Sequence, residues 1–271
     1  MKIKKRYILL VIIILFLLWI YIGNTALEIN KYNIKSKKIP NSFDGYKIAQ
    51  ISDLHNAEFG EGNAKLIKML KNTESDMIVI TGDIVDFSNT DIDVAISFAK
   101  EASKIAPTYY VNGNHEAAVE EYSKLKQALI EVGVTVLENE TVEIISGADN
   151  IMLTGLNDPL FNKEPVLLDE LIPQNDSYKI LLAHRPEYFN VYSGKVDLVF
   201  SGHAHGGQFI IPFVGGFVAP GQGFFPEYYS GVYSQDGTDM VVSRGLGNSI
   251  IPVRINNRPE IVLVELMQIE D

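Results

Sequence analysis

The five histidines of the chain, His55, His115, His184, His203 and His205, each follow directly on a predicted strand or its terminal turn. Asp53, Asp83, Asp86 and Asn114 stand at similar places. Scattered core or surface histidines would have no reason to share this placement. Imidazole nitrogens with carboxylate and amide oxygens, and no thiolate, form a mixed ligand set suited to Mn, Fe or Zn. The pairs Asp53/His55 and His203/His205 are spaced i, i+2, which on an extended backbone points both side chains the same way. Any one pair arises readily by chance, whereas the whole set in this order does not.

The stretch 78–86, IVITGDIVD, indicates how such residues are positioned. Its first three residues are apolar and β-branched and predict a strand buried on both faces. Thr81 and Gly82 break the run, so Asp83 lands where the strand stops, with Asp86 one turn on. In alternating α/β chains, the ends of buried strands are where chemistry is placed. Alone, Asp83 would be an ordinary turn residue or helix cap; its company argues otherwise.

Further strands are expected over 46–52, 77–81, 108–111, 134–137, 142–145, 151–156, 178–183, 197–200, 239–243 and 260–266, with an initial one at 27–34. Helices are expected over 63–70, after a cap at Thr90 or Asp91, and through Val119, Tyr122, Leu125, Leu129 and Val132 to a stop at Gly133. A β-α first half and a strand-rich second half fit an α/β sandwich, two packed sheets flanked by helices. Residues 206–237 are rich in Gly, Pro and aromatics.

A chain of 271 residues with formal charge −11 is one sizeable domain with a small appendage. The first 23 residues hold Lys2, Lys4, Lys5 and Arg6 and no acid, leaving 19 basic against 34 acidic residues, a net −15. Such a domain lacks the footprint of a nucleic-acid binder and is repelled by anionic lipid. Without cysteine there is no disulfide framework or Cys-based zinc knuckle. No feature of the sequence bears on oligomeric state. Residues 7–23 are uncharged and dominated by Ile and Leu, follow a basic cluster and end near Trp19 and Tyr21. This pattern predicts an uncleaved signal anchor with the basic end in the cytoplasm and the remainder outside, a cleaved and secreted or wall-associated form being the second reading. The expected organisation is an anchor over 1–23, a polar connector over 24–45, and a domain over 46–271.

Asp53-x-His55, Gly82-Asp83-x-x-Asp86, Gly113-Asn114-His115-Glu116, His184 and Gly202-His203-x-His205 together resemble the calcineurin-like metallophosphoesterase superfamily. Ser243-Arg244-Gly245-Leu246-Gly247 and Pro252-Val253-Arg254 resemble its membrane-anchored bacterial phosphodiesterase branch. The resemblance implies two packed mixed sheets and two divalent metal ions. Asp53, His55, Asp83 and His205 would hold the first; Asp83 would bridge to the second, completed by Asn114, His184 and His203. A hydroxide between the metals would attack phosphorus, His115 would protonate the leaving oxygen, and Asp86 would orient the His115 ring and keep it cationic. Glu116 has no implied chemistry beyond capping the next helix.

In the phosphoprotein phosphatase branch an arginine follows the second aspartate of GDxxD; here that residue is Phe87. The departure points to diesters or pyrophosphates, which need fewer charges neutralised. Arg185, Arg244 and Arg254 could contact phosphate or form structural ion pairs. The aromatics between Gln208 and Tyr229 are either a rigid loop packed on the sheet edge or an apolar rim admitting an acyl chain or sugar face. With a tether upstream, the expected substrate is a phosphorylated small molecule, lipid or envelope component. The alternatives are a UDP-diacylglucosamine-type pyrophosphatase and a non-catalytic, metal-stabilised binding module.

Overall fold

Alternation along the buried strands divides the interior into layers. In the strand Met77–Thr81, Met77 and Val79 enter one apolar cluster, and Ile78 and Ile80 enter another on the opposite face. The computed structural model describes residues 2–161, 168–248 and 253–270, so Pro252 of the expected Pro-Val-Arg motif lies outside the described residues.

The first half supplies β1 (Glu28–Ser36), β2 (Lys47–Ile51), β3 (Met77–Thr81), β4 (Thr108–Val111) and β5 (Val134–Val136). The second half supplies β6 (Glu140–Ser146), β7 (Asp149–Gly155), β8 (Lys179–Leu182) and β9 (Leu198–Ser201). Two short hairpins follow, β10 (Ile210–Ile211) with β11 (Gly215–Gly216) and β12 (Val218–Ala219) with β13 (Gly223–Phe224). The chain closes with β14 (Gly231–Gln235), β15 (Thr238–Val242) and β16 (Glu260–Gln268). Helices are α1 (Lys2–Thr25), α2 (Ala64–Lys71), α3 (Ile92–Ala102), α4 (Asn114–Ala117), α5 (Tyr122–Glu131), α6 (Leu168–Leu171) and α7 (Phe189–Tyr192).

Two six-stranded mixed sheets result, ordered β1-β16-β2-β3-β4-β5 and β14-β15-β9-β8-β7-β6. They pack face to face through Ile48, Val79, Ile180, Phe200, Val262 and their neighbours. Leu66 and Leu70 of α2, Phe98 of α3 and Leu125 and Leu129 of α5 cover the outer face of the first sheet. Leu168 of α6 and Phe189 and Tyr192 of α7 cover the outer face of the second. Each such side chain contributes about 1.5–3 kcal/mol on burial. The expected α/β sandwich of two packed sheets with flanking helices is the architecture found. Asp91 is the cap expected for α3, its carboxylate accepting the Asp93 and Val94 amides at 3.1 and 3.3 Å.

Strands β2, β3, β4 and β5 run parallel, as do β7, β8, β9 and β15. The loops leaving the carboxyl ends of β2, β3, β4, β8 and β9 carry the nine candidate residues. Within the segment expected as a connector, β1 pairs in parallel with β16 from Glu28↔Glu260 to Ser36↔Gln268. This is the initial strand expected at 27–34, and its Lys and Asn residues belong to an edge strand with a wet face. Strand β14 lies outside the expected set; its Gly, Ser and Gln obscure any alternation.

Helix α1 has exposed apolar side chains from Tyr7 to Trp19 and at Tyr21 and Ile22, and its 21 residues from Lys5 to Thr25 are long and apolar enough to cross a membrane. At 1.5 Å per residue they reach about 32 Å, against about 30 Å of hydrocarbon. Its last turn meets the domain through a reciprocal pair: Asn24 Nδ2 donates to the Arg254 carbonyl (3.2 Å) and the Arg254 amide donates to Asn24 Oδ1 (2.8 Å).

Candidate metal centre

Strand β3 stops at Gly82, whose φ of 87° leaves it in the left-handed region. A Cβ there would lie 2.7 Å from His184 Nδ1 and 2.8 Å from the Gly113 amide. The close approach brings the loops after β3, β4 and β8 into contact. Asp53, His55, Asp83, His203 and His205 all have positive φ, between 47° and 63°. This corrects the extended-backbone reading of the i, i+2 pairs. The two residues of each pair sit in left-handed turns beyond the strand ends, a conformation costly for L side chains and held by surrounding contacts. Those contacts are the Asp53 amide on the Gly82 carbonyl (3.0 Å), the His55 amide on the Asp83 carbonyl (3.0 Å) and the His203 amide on Asp53 Oδ1 (3.1 Å).

The loops converge. Asp53, His55, Asp83 and His205 each aim a ligand-type atom into one space, all within 4.8 Å of one another, and Asp83, His184 and His203 do the same in a second. Asp83 belongs to both groups. Asn114 Oδ1 stands 3.2 Å from His184 Nε2, which also lies 3.2 Å from Asp83 Oδ2. His205 Nε2 is 3.5 Å from Asp53 Oδ1, and His55 Nε2 is 3.7 Å from Asp83 Oδ2. A third group joins His55, Asp86 and His115.

These residues fit bound cations. Nε2 of His55, Nε2 of His203 and Nδ1 of His205 are buried and, among the described residues, have no hydrogen-bond partner. Such orphans are rare in proteins and costly unless something occupies the gap. Separations of 3.2–3.9 Å among the donors are near the spacing of ligands that share an ion at about 2.1 Å. Burial holds His203 and His205 well below the usual imidazole range, in the neutral form that ligates. Burial also raises Asp53, an effect the charge of Asp83 reinforces. His184 is opposed by burial, but the adjacent Asp83 carboxylate prevails and lifts it to about 10. The His184 Nδ1–H faces the Thr81 carbonyl at 2.7 Å, the backbone bond that fixes ring orientation in metal-ligating histidines.

Asp86 lies 3.4 Å from His55 Nδ1 and 3.7 Å from His115 Nδ1, so its closer partner is His55 rather than the expected His115. The Phe87 amide donates to His115 Nδ1 (3.2 Å), which leaves the ring proton on Nε2. Burial, its largest influence, lowers His115 from the ordinary histidine value, and the charges of Asp83 and Asp86 oppose it. The ring stands edge-on to His55 with centroids 4.3 Å apart and beside Phe87 at 4.7 Å.

The three arginines are all engaged in structural pairs. Arg185 Nε donates to Asp158 (2.5 Å), Arg244 grips Glu260 (2.9 Å) and Glu28, and the fully buried Arg254 donates to the Arg244 and Gly247 carbonyls and to Asn248. Glu116 is the residue that sequence reasoning undervalued. It is fully buried and accepts the amides of Gly113 (2.6 Å), Asp83 (2.8 Å) and Ile84 (2.7 Å). It therefore caps its own short helix α4, not the next one, and also holds the Asp83 turn. Burial and then the Asp83 charge push its carboxyl up to about 7. Glu187 was likewise missed. Its Oε1 is 3.7 Å from His203 Nε2, a distance that no sequence signal marks.

The family model for calcineurin-like phosphoesterases matches residues 46–207. The chain belongs to that family. Among its relatives, the metallophosphoesterase YkuE of Bacillus subtilis is 31% identical over 254 residues, covering 91% of this chain and 87% of the relative. Phosphodiesterase YaeI of Escherichia coli is 28% identical over 235 residues, covering 82% of each. The solved structure of TT1561 from Thermus thermophilus superposes with a TM-score of 0.51 at 16% identity, over 74% of this chain and 90% of that one, and shows the same fold. This calcineurin-like phosphoesterase is thus a metal-dependent hydrolase of phosphoric esters.

Proposed function

We propose that the chain is a phosphodiesterase holding two divalent ions (Mn, Fe or Zn), anchored by α1 with its catalytic domain outside the cytoplasm. The observation that carries the dinuclear reading is that Asp83 belongs to both ligand groups. Asp53, His55, Asp83 and His205 would hold one ion; Asp83, Asn114, His184 and His203 would hold the other. When bound, such a pair lowers the pKa of water toward neutrality and offsets charge on the phosphoryl oxygens. The remaining work belongs to the chain. Asp83 supplies the shared negative charge that two neighbouring cations need. Asp86 fixes the His55 ring from behind. His115 would give the leaving oxygen a proton from its cationic form, which the Asp86 carboxylate 3.7 Å from Nδ1 favours.

Charge favours a diester over a monoester. Phe87 replaces the arginine that grips phosphate in the protein phosphatase branch, and Arg185, Arg244 and Arg254 are committed to Asp158, Glu260 and backbone carbonyls. Glu187 and Asp86 add negative charge beside His203 and His115. A dianionic monoester meets more repulsion here than a monoanionic diester. The name of the Escherichia coli relative, a phosphodiesterase, agrees. The anchor helix and the uncharged aromatic segment after His205 support a lipid-linked or other cell-envelope substrate.

The test uses metal-free protein reconstituted separately with Mn, Fe and Zn. Bis(p-nitrophenyl) phosphate should be hydrolysed with a kcat/KM well above that for p-nitrophenyl phosphate, and envelope lipids, teichoic-type polymers and nucleotide sugars should be compared in the same assay. A preference for the monoester would refute the diester reading, and activity confined to nucleotide sugars would support the pyrophosphatase alternative.

A further inference from the structure

We propose that the tips of the β10–β11 and β12–β13 hairpins form a second membrane contact, docking on the surface of the bilayer that α1 enters. The proposal rests on the anchor reading of α1 but not on any hydrolytic activity.

Three observations carry it. From Gly206 to Pro226 the chain has no charged residue, in a domain whose net charge is strongly negative. Within that stretch Phe217, Ala219 and Tyr228 just beyond it are at least partly buried, whereas Phe213, Val214, Phe224 and Phe225 are exposed, Phe213 completely. Part of the segment therefore packs on the second sheet, and the aromatic tips are left in solvent. Exposed large apolar side chains grouped in this way mark a contact surface.

The third observation identifies what covers them. Asn24, in the last turn of α1, exchanges hydrogen bonds with the backbone of Arg254. The next residue, Ile255, bridges to Phe209 and accepts the Ile210 amide (2.9 Å) at the root of the first hairpin. Asn256 Nδ2 donates to the Ile210 carbonyl (3.2 Å). The Asn24–Arg254 contact, one residue step, one strand spacing and three further residues place Phe213 within roughly 25 Å of the end of α1. Arg258, whose guanidinium donates to the Ala26 carbonyl (3.1 Å) and pairs with Glu28 (3.4 Å), ties the same junction together. A helix of membrane-crossing length fixed at this point sets the bilayer surface beside the hairpins. Uncharged loops with aromatic tips suit the headgroup boundary, where apolar rings gain burial and the acidic remainder of the domain stays away.

The absence of cysteine makes the test clean. Phe213→Cys, Phe224→Cys and, as control, Ile145→Cys are each made in the full chain, labelled with a fluorophore and reconstituted into phosphatidylcholine vesicles carrying nitroxide-labelled lipid. Ile145 is as exposed as Phe224 but lies on β6, the edge strand of the second sheet opposite β14. Quenching at 213 and 224 should exceed that at 145 several-fold. Equal and weak quenching at all three positions would overturn the proposal. Circular dichroism and hydrolysis of a soluble diester, read on the same samples, separate loss of membrane contact from loss of fold or activity.

Discussion

Glu116 and Asp83 are two buried carboxylates joined through backbone amides. The Asp83 amide donates to Glu116 Oε2 at 2.8 Å, and the His115 amide beside Glu116 donates to Asp83 Oδ1 at 2.8 Å. Glu116 thereby sets the turn from which Asp83 reaches both ligand groups. Glu116→Ala leaves the amides of Gly113, Asp83 and Ile84 buried without acceptors. The expected loss is about 1–3 kcal/mol, seen as a fall in Tm of several degrees. Bound metal measured by elemental analysis should fall with it; an unchanged Tm and metal content would show that the turn holds without this carboxylate.

His115→Ala should separate metal binding from catalysis. The side chain contributes no atom to the two groups that share Asp83. Metal content should be retained, and kcat should fall by about 10²–10⁴-fold. A variant as active as the parent would support the non-catalytic reading of this residue.

Removal of the cations should expose the strain of the empty ligand cluster. Chelation should abolish hydrolysis, and readdition of Mn, Fe or Zn should restore it to different extents. Binding to the folded state alone adds about 2.7 kcal/mol at a hundredfold excess over Kd. Thermal melts at increasing metal concentration should therefore move upward, and a flat response would argue against a site built for cations.

Glu187→Gln tests the carboxylate facing His203 Nε2 at 3.7 Å. Glu187 adds negative charge on the side of the ring that would ligate, so the substitution should weaken metal affinity, and activity with it, by about tenfold, a nearby unit charge being worth about 1 kcal/mol or more. A competitive chelator titration reads the affinity directly, and a change confined to KM would instead place Glu187 against the substrate.

Much of this architecture is legible in the sequence because buried strands announce themselves. Met77–Thr81 and Thr108–Val111 are bounded in the structure where their apolar runs end, and every candidate ligand follows such a strand. Edge strands are harder. The Gly- and Ser-containing edge strand β14 carries no continuous apolar signal, whereas β1 shows in the sequence as a short strand at 27–34 but looks like part of a connector. Residue spacing brought Asp53 and His55 together but not for the right reason, since the pairing depends on left-handed turns that composition does not reveal. The partner of Asp86 was out of reach for a related reason: 3.4 Å to His55 against 3.7 Å to His115 is a difference of loop geometry alone.

The five left-handed residues have an evolutionary corollary. Asp53, His55, Asp83, His203 and His205 each occupy a backbone conformation that glycine tolerates better. In metal-free protein, an inactive His205→Gly chain should then resist heat at least as well as its parent. Durability and turnover pull these positions in opposite directions, and drift toward a sturdier, silent protein is checked only by selection on what the enzyme does.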